Sequence, residues 1–197
     1  MIEQFPLRPT ETSQPDYQST SIEGLSRLSD EELLRGASVE LFAATEHLHH
    51  SMTGGEVPRK LTHAMDFLVR PVVTNAEAMG AHGFAGLPEK SKNKLTDVAV
   101  HMSSVFGFEE VPIGLNSVRD VEYGKSSFKE FIGYMFKAQG KLYSYDYPVN
   151  KKIPTTALVG LCQSSLLFLG DLSERQPLGT YERTKILGAV NNLRGLR

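Results

Sequence analysis

Apolar residues recur every three or four positions along most of this chain, which places them on single faces of helices. The pattern is clear after Ser29, after Pro58 and after Pro88. The predicted buried faces are Leu34, Ala37, Leu41, Ala44, Leu48 and Met52 in the first helix, Leu61, Met65, Leu68 and Val72 in the second, and Leu95, Val98, Met102 and Val105 in the third. The pattern predicts an all-α protein, an antiparallel bundle of about five or six helices.

Local signals predict where the first two helices begin and end. Ser29 and Glu32 have the spacing of a capping box, in which the side chain of each residue accepts a hydrogen bond from the backbone amide of the other. Pro71 lies inside the apolar pattern of the second helix and removes one helical hydrogen bond, so we expect a kink or an end near Arg70.

Three further helices are predicted in the second half of the chain. The fourth runs from about Ser126 or Ser127 and ends in the aromatic run Tyr143 to Tyr147, and a short basic helix from about Thr180 to Leu193 comes last. Between them, a helix starting near Pro154 or Thr155 contains the longest apolar segment. Its predicted buried side is Leu158, Leu161, Cys162, Ser165, Leu166 and Leu169. Polar residues interrupt this segment, which favours a core helix over a membrane span.

Composition divides the chain into two parts. Residues 1–20 are rich in Pro, Thr, Ser and Gln and predict a flexible tail, whereas 21–197 predict a single helical domain. A net charge of −2 and one cysteine, with no apolar run of signal-peptide length at the start, favour an intracellular protein, cytoplasmic or nuclear, without a membrane.

A histidine cluster offers one possible chemistry. Glu46 and His49 have the Glu-x-x-His spacing of di-iron helix bundles, and His50 lies one helical turn after Glu46. Such bundles need a second Glu-x-x-His and two more carboxylates, which the sequence does not supply. A solvated helix end is the main interpretation, and a small helical metal-binding protein or enzyme that uses these three residues is the alternative.

Cys162 is the second candidate for chemistry, as a nucleophile paired with His63, His82 or His101. Its apolar surroundings contain no neighbouring cation that would lower its pKa, so a buried structural cysteine is the preferred interpretation. We therefore predict no catalytic residue and no cofactor. These observations favour a protein that is not an enzyme, without deciding the question.

Two groups of cations are the remaining candidates: Lys90, Lys92 and Lys94, and Arg175, Arg183, Lys185, Arg194 and Arg197. Both are expected on solvated faces. A weak contact of the basic C-terminal helix with nucleic acid or phosphate is the alternative. The candidate binding residues are Lys92, Lys94, Arg175 and Arg183.

The segment Cys162-Gln-x-x-Leu166-x-x-Leu169-Gly170-Asp171-Leu172-Ser173 resembles a signature of the ever-shorter-telomeres/SMG family. A second segment, Phe128 to Tyr143 followed by Ile153-Pro154, is similar to the helix and linker that precede this signature. The resemblance implies a 14-3-3-like N-terminal domain. It also implies a non-catalytic adaptor that binds another protein in nonsense-mediated mRNA decay or telomerase recruitment.

One departure from that family bears on its binding activity. Glu174 stands where the family has the first arginine of an Arg-Tyr-Arg run, a residue that contributes to its phosphoserine pocket. A carboxylate there repels a phosphate dianion and argues against phosphopeptide binding. A structural or assembly protein of viral or phage type, without a ligand, is the third hypothesis for the whole chain.

Overall fold

The computed structural model describes residues 16–51, 59–80, 87–106 and 155–197. Within these ranges all regular structure is α-helical, which confirms the predicted all-α class. The six helices described are α1 (Ile22–Ser26), α2 (Asp30–Ser51), α3 (Arg59–Gly80), α4 (Glu89–Phe106), α5 (Thr155–Ser173) and α6 (Thr180–Arg194).

Helix α5 lies at the centre of the described bundle and packs on α2, α3 and α4. Every residue predicted for its buried side is buried, as are the predicted positions of the first three long helices that the structure describes. By length and composition α5 is apolar enough to cross a membrane, and 56% of that stretch is buried inside the protein. Its apolar side chains form the core between the surrounding helices.

Contacts between helices set their relative directions. Ser91 near the start of α4 bonds Asp171 near the end of α5, while His101 late in α4 lies against Gly160 early in α5. These two helices are therefore antiparallel. Helices α3 and α6 are antiparallel as well, since Lys60 bonds the Gly195 carbonyl at one end and Asn75 bonds Glu182 at the other.

The predicted capping box at the start of α2 is confirmed. The Ser29 amide donates to Glu32 Oε2 over 3.0 Å, and the Glu32 amide donates to Ser29 Oγ over 3.3 Å. Each residue pairs an amide that the first helical turn would leave without a partner. The local sequence alone therefore determines where α2 begins.

The predicted boundary of the tail at residue 20 is wrong for residues 16–20. Asp16 to Thr20 form a turn before α1, and the Tyr17 ring is buried against the helices. The sequence pattern also missed α1, because a helix of five residues is too short to show a period.

Of the two outcomes expected near Arg70, a kink or an end, the end is wrong, because α3 continues through Pro71 to Gly80. Proline removes one backbone hydrogen bond from the interior of a helix. Val72, Val73 and Ala76, which follow it, are all fully buried, and this burial favours continuing the helix despite the missing bond.

Several sequence-based predictions lie outside the described residues. They are residues 1–15 of the tail, Met52 of the first buried face, the fourth helix, the Phe128–Tyr143 segment of the resemblance, Pro154 and His82.

Candidate functional site

The end of the resembling segment meets the start of α4 in a polar cluster, the α4–α5 junction, made of Lys90, Ser91, Asp171, Glu174 and Arg175. Asp171 is its centre, with a side chain only 4% exposed. Ser91 Oγ, itself in a fully buried residue, donates to Asp171 Oδ2 over 2.7 Å. A buried carboxylate that accepts such bonds ties the two helices together at this point.

Two cationic side chains also contact the Asp171 carboxylate. Arg175 donates to Asp171 Oδ2 over 2.9 Å, and the Lys90 ammonium lies 3.6 Å from Oδ1. The Asp171 carboxylate thus has a hydroxyl, a guanidinium and an ammonium around it. These are the groups that bind an external phosphate in other proteins, and here a side chain of the same chain occupies them.

Glu174 closes the junction from the solvent side. Its Oε2 lies 2.6 Å from the Lys90 ammonium, across the gap between the two helices. The hydrogen bond to Glu174 is the main cause that raises the pKa of Lys90 above its ordinary value, and Asp171 adds to it. The two cations of the junction therefore face two carboxylates, which leaves no net positive charge for an incoming anion.

The lysine group of α4 does not form the solvated outer face that the sequence suggested. Lys90 is exposed at the junction and Lys94 is half-buried, but Lys92 is buried, with its ammonium 3.8 Å from Glu89. Lys92 lies one position after Ser91, on the side of α4 that packs inward. Its long aliphatic stem allows a lysine to occupy such a place.

Three arginines at the C-terminal end of the chain connect it to α2 and to the segment that precedes α2. They are Arg183 and Arg194 of α6, and Arg197 just after it. Arg183 pairs with Asp30 and also donates to the carbonyls of Ser26 and Leu28, over 3.0 and 2.6 Å. These bonds cap the end of α1 and the turn that follows it. Arg183 was predicted as a binding residue, and the structure gives it this structural role.

Glu40 in α2 holds the other two arginines. It is fully buried, and its two oxygens pair with Arg194 and Arg197. A charged group buried to this degree is stable only when it is paired. Sequence reasoning missed Glu40, because a single carboxylate among helical residues carries no signal that it points inward.

The histidine cluster lies at the exposed end of α2. Glu46, His47 and His49 are all exposed, and the side chain of His50 is outside the described part of the structure. Among the residues that the structure describes, no group of three or more His, Cys, Asp or Glu side chains is placed to hold a metal ion. The metal-binding alternative therefore gains no support from this geometry.

Cys162 is fully buried in α5. Burial raises the pKa of its thiol from 9.0 to about 12. Of the proposed basic partners, His63 is exposed on α3, and His101 packs on Gly160 and bonds the Asp97 carbonyl through Nδ1. This agrees with the interpretation of Cys162 as a structural core residue.

We expect Cys162 in the folded protein to resist alkylation by iodoacetamide at pH 8. The thiolate is the reactive form, and a pKa of about 12 leaves almost none of it at that pH. The measurement is the alkylated fraction by intact mass, with and without denaturant. The unfolded chain should react fully, whereas rapid reaction of the folded chain would contradict the buried position.

No protein-family model, curated protein or solved structure matches this chain.

Proposed function

We propose that this chain is a non-catalytic adaptor that works through contacts with another protein. In this proposal it is related to the N-terminal 14-3-3-like domain of the ever-shorter-telomeres/SMG family and acts, like that family, inside the cell. The observation that carries the proposal is the pairing of Lys90 with Glu174 across the α4–α5 junction. If Glu174 corresponds to the family's first arginine, as we propose, Lys90 lies opposite the position of a residue that contributes to the family's phosphoserine pocket.

A second feature fits the same proposal. Gly170 and Asp171, the most distinctive pair of the resembling segment, lie where α5 crosses the start of α4. Asp171 is buried and bonded there, while a side chain added at Gly170 would meet none of the described residues within 4 Å. Asp171 thus connects the core helix α5 to α4. This contact is a physical reason for an aspartate after the leucines of the core helix.

Phosphopeptide capture is not part of the proposed function of this copy. Arg175 is engaged by Asp171, and Lys90 by Glu174 and Asp171. A phosphate dianion would have to approach two carboxylates and compete with them for the same two cations. We therefore propose that the junction keeps the arrangement of a phosphate site but is closed by its own acidic residues.

The test replaces the closing carboxylate, with Glu174→Arg. We expect the wild type to bind a labelled phosphoserine peptide no better than its unphosphorylated twin. The variant should gain at least about tenfold in affinity for the phosphorylated form, since a charge-assisted bond replaces a repulsive pair. Fluorescence anisotropy measures both affinities, and the gain should shrink as salt is added.

Glu77→Arg is the matched control, because Glu77 is exposed on α3 and the substitution changes the net charge by the same amount. It should leave the affinity for the phosphopeptide unchanged. If Glu174→Arg folds, as circular dichroism would show, and yet gains nothing over this control, position 174 does not correspond to the family's phosphate ligand. The proposed relation would then be wrong.

A further inference from the structure

The turn that precedes α1, Asp16 to Thr20, packs on the bundle through the aromatic side chain of Tyr17. The Tyr17 side chain is buried in a slot beside Gly36 of α2 and Leu25 of α1. The slot depends on glycine: a Cβ at Gly36 would lie 3.1 Å from Tyr17 Cδ1, closer than ordinary packing distance. We call residues 16–20 the strap.

The polar contacts that hold the strap converge on one arginine of α6. Arg194 donates to the Tyr17 carbonyl over 2.5 Å and to the Thr20 carbonyl over 2.6 Å. Its Nε donates to the buried Glu40 over 2.9 Å, which keeps the guanidinium in place whether or not the strap is bound. The strap can therefore detach without disturbing the pair that joins α2 to α6.

The strap also maintains its own shape. Asp16 Oδ1 accepts a bond from the Gln18 amide over 3.1 Å, and the Asp16 carbonyl accepts one from Thr20 Oγ1 over 2.8 Å. Both bonds lie within the strap and do not depend on its contacts with the helices. Little order is therefore lost or regained inside the segment when it moves.

One feature opposes the closed position. The Tyr17 hydroxyl is buried and finds no hydrogen-bond partner among the described residues. A buried hydroxyl without a partner loses its bonds to water and gains nothing in exchange. A phenylalanine at position 17 would fill the same slot without this cost, so the tyrosine makes closure weaker than the slot allows.

We propose that residues 16–20 are a releasable strap. It opens as a unit, lifts Tyr17 out of its slot and frees both donors of Arg194 while the helices stay packed. The loose hold follows from the Tyr17 hydroxyl, which has no hydrogen-bond partner in the described part of the chain, and from the bonds that Arg194 donates to the strap. This inference concerns the end of the bundle formed by α1, α2 and α6, and does not depend on the proposed adaptor function.

Chymotrypsin tests the proposal, because it cleaves after residue 17 only when the strap is open. The rate of that cleavage, followed by mass spectrometry, reports the open population when opening and closing are fast. We expect Tyr17→Phe to slow cleavage roughly tenfold, because it removes the unpaired hydroxyl. Phenylalanine is also a chymotrypsin site, and short peptides carrying either residue correct for its preference.

Gly36→Ala should have the opposite effect, at least about tenfold faster cleavage, because the added Cβ crowds the Tyr17 ring in its slot. Gly170→Ala is the matched control, since no atom in the described part of the chain lies within 4 Å of its new Cβ, and it should leave the rate unchanged. The melting temperature of Gly36→Ala should not fall, because the opening is local.

The proposal is overturned if Tyr17→Phe fails to slow cleavage. It is also overturned if Gly36→Ala cleaves at the wild-type rate, or faster only in proportion to a fall in its melting temperature.

Discussion

Leu169→Ala is expected to lower the free energy of unfolding by about 3 kcal/mol, since a truncated core leucine loses its transfer free energy and leaves a cavity. Leu169 is fully buried in α5, the helix that contacts three others. Few neighbours can collapse into the space, because helices pack around α5 on several sides. Denaturant titration followed by circular dichroism measures the loss.

Leu167→Ala is the control, with the same chemical change two positions away on the same helix. The Leu167 side chain is 46% exposed, so its removal should cost about 1 kcal/mol or less. Equal losses in the two variants would contradict the burial pattern of α5. The comparison also tests the core assignment of a helix that is apolar enough to be taken for a membrane span.

Glu40→Gln is expected to cost about 3 kcal/mol of stability, because it removes the only charge that Arg194 and Arg197 both pair with among the described residues. The two guanidiniums are mostly buried, and the amide that replaces the carboxylate cannot neutralise them. The measurement is the shift of the denaturation midpoint at constant slope.

Glu31→Gln provides the comparison for that variant. Glu31 pairs with Arg35 one turn along α2, on a solvated surface, and such pairs contribute about 0.5 kcal/mol or less. Both variants remove one carboxylate from the same helix. If Glu40→Gln were as mild as Glu31→Gln, the buried arrangement of Glu40 with its two arginines would be wrong.

The helices and their buried faces could be predicted because their causes are local. The capping box at Ser29 and Glu32, and the apolar period of the following helix, depend on residues within one or two turns of each other. The start of α5 at Thr155 and the end of the last helix were predicted to within one residue for the same reason. The relation to the ever-shorter-telomeres/SMG family remains a prediction from residues 128–173.

The candidate site was predicted less well than the helices. Arg175 and Arg183 were identified as cations available for a ligand, and both turned out to be paired inside the protein. Lys92 was assigned to the outer face of α4, yet it is buried. Arg183 pairs with Asp30 of α2, at a distance along the chain that no local pattern spans. Arg175 and Lys92 pair with Asp171 and Glu89 within about one turn of the chain, but the packing of neighbouring helices decides how far these side chains are buried.

The sequence by itself therefore determined the all-α class, the core helix around Leu161 to Leu172 and the faces that α2, α3, α4 and α5 bury. Only the tertiary structure decided which polar and charged groups meet: Asp171 with Ser91, Glu174 with Lys90, and Glu40 with Arg194 and Arg197. The reason is physical. Apolar burial follows from periodicity within one helix, whereas a hydrogen bond or an ion pair requires two side chains to lie within a few ångströms, and this depends on how the helices pack.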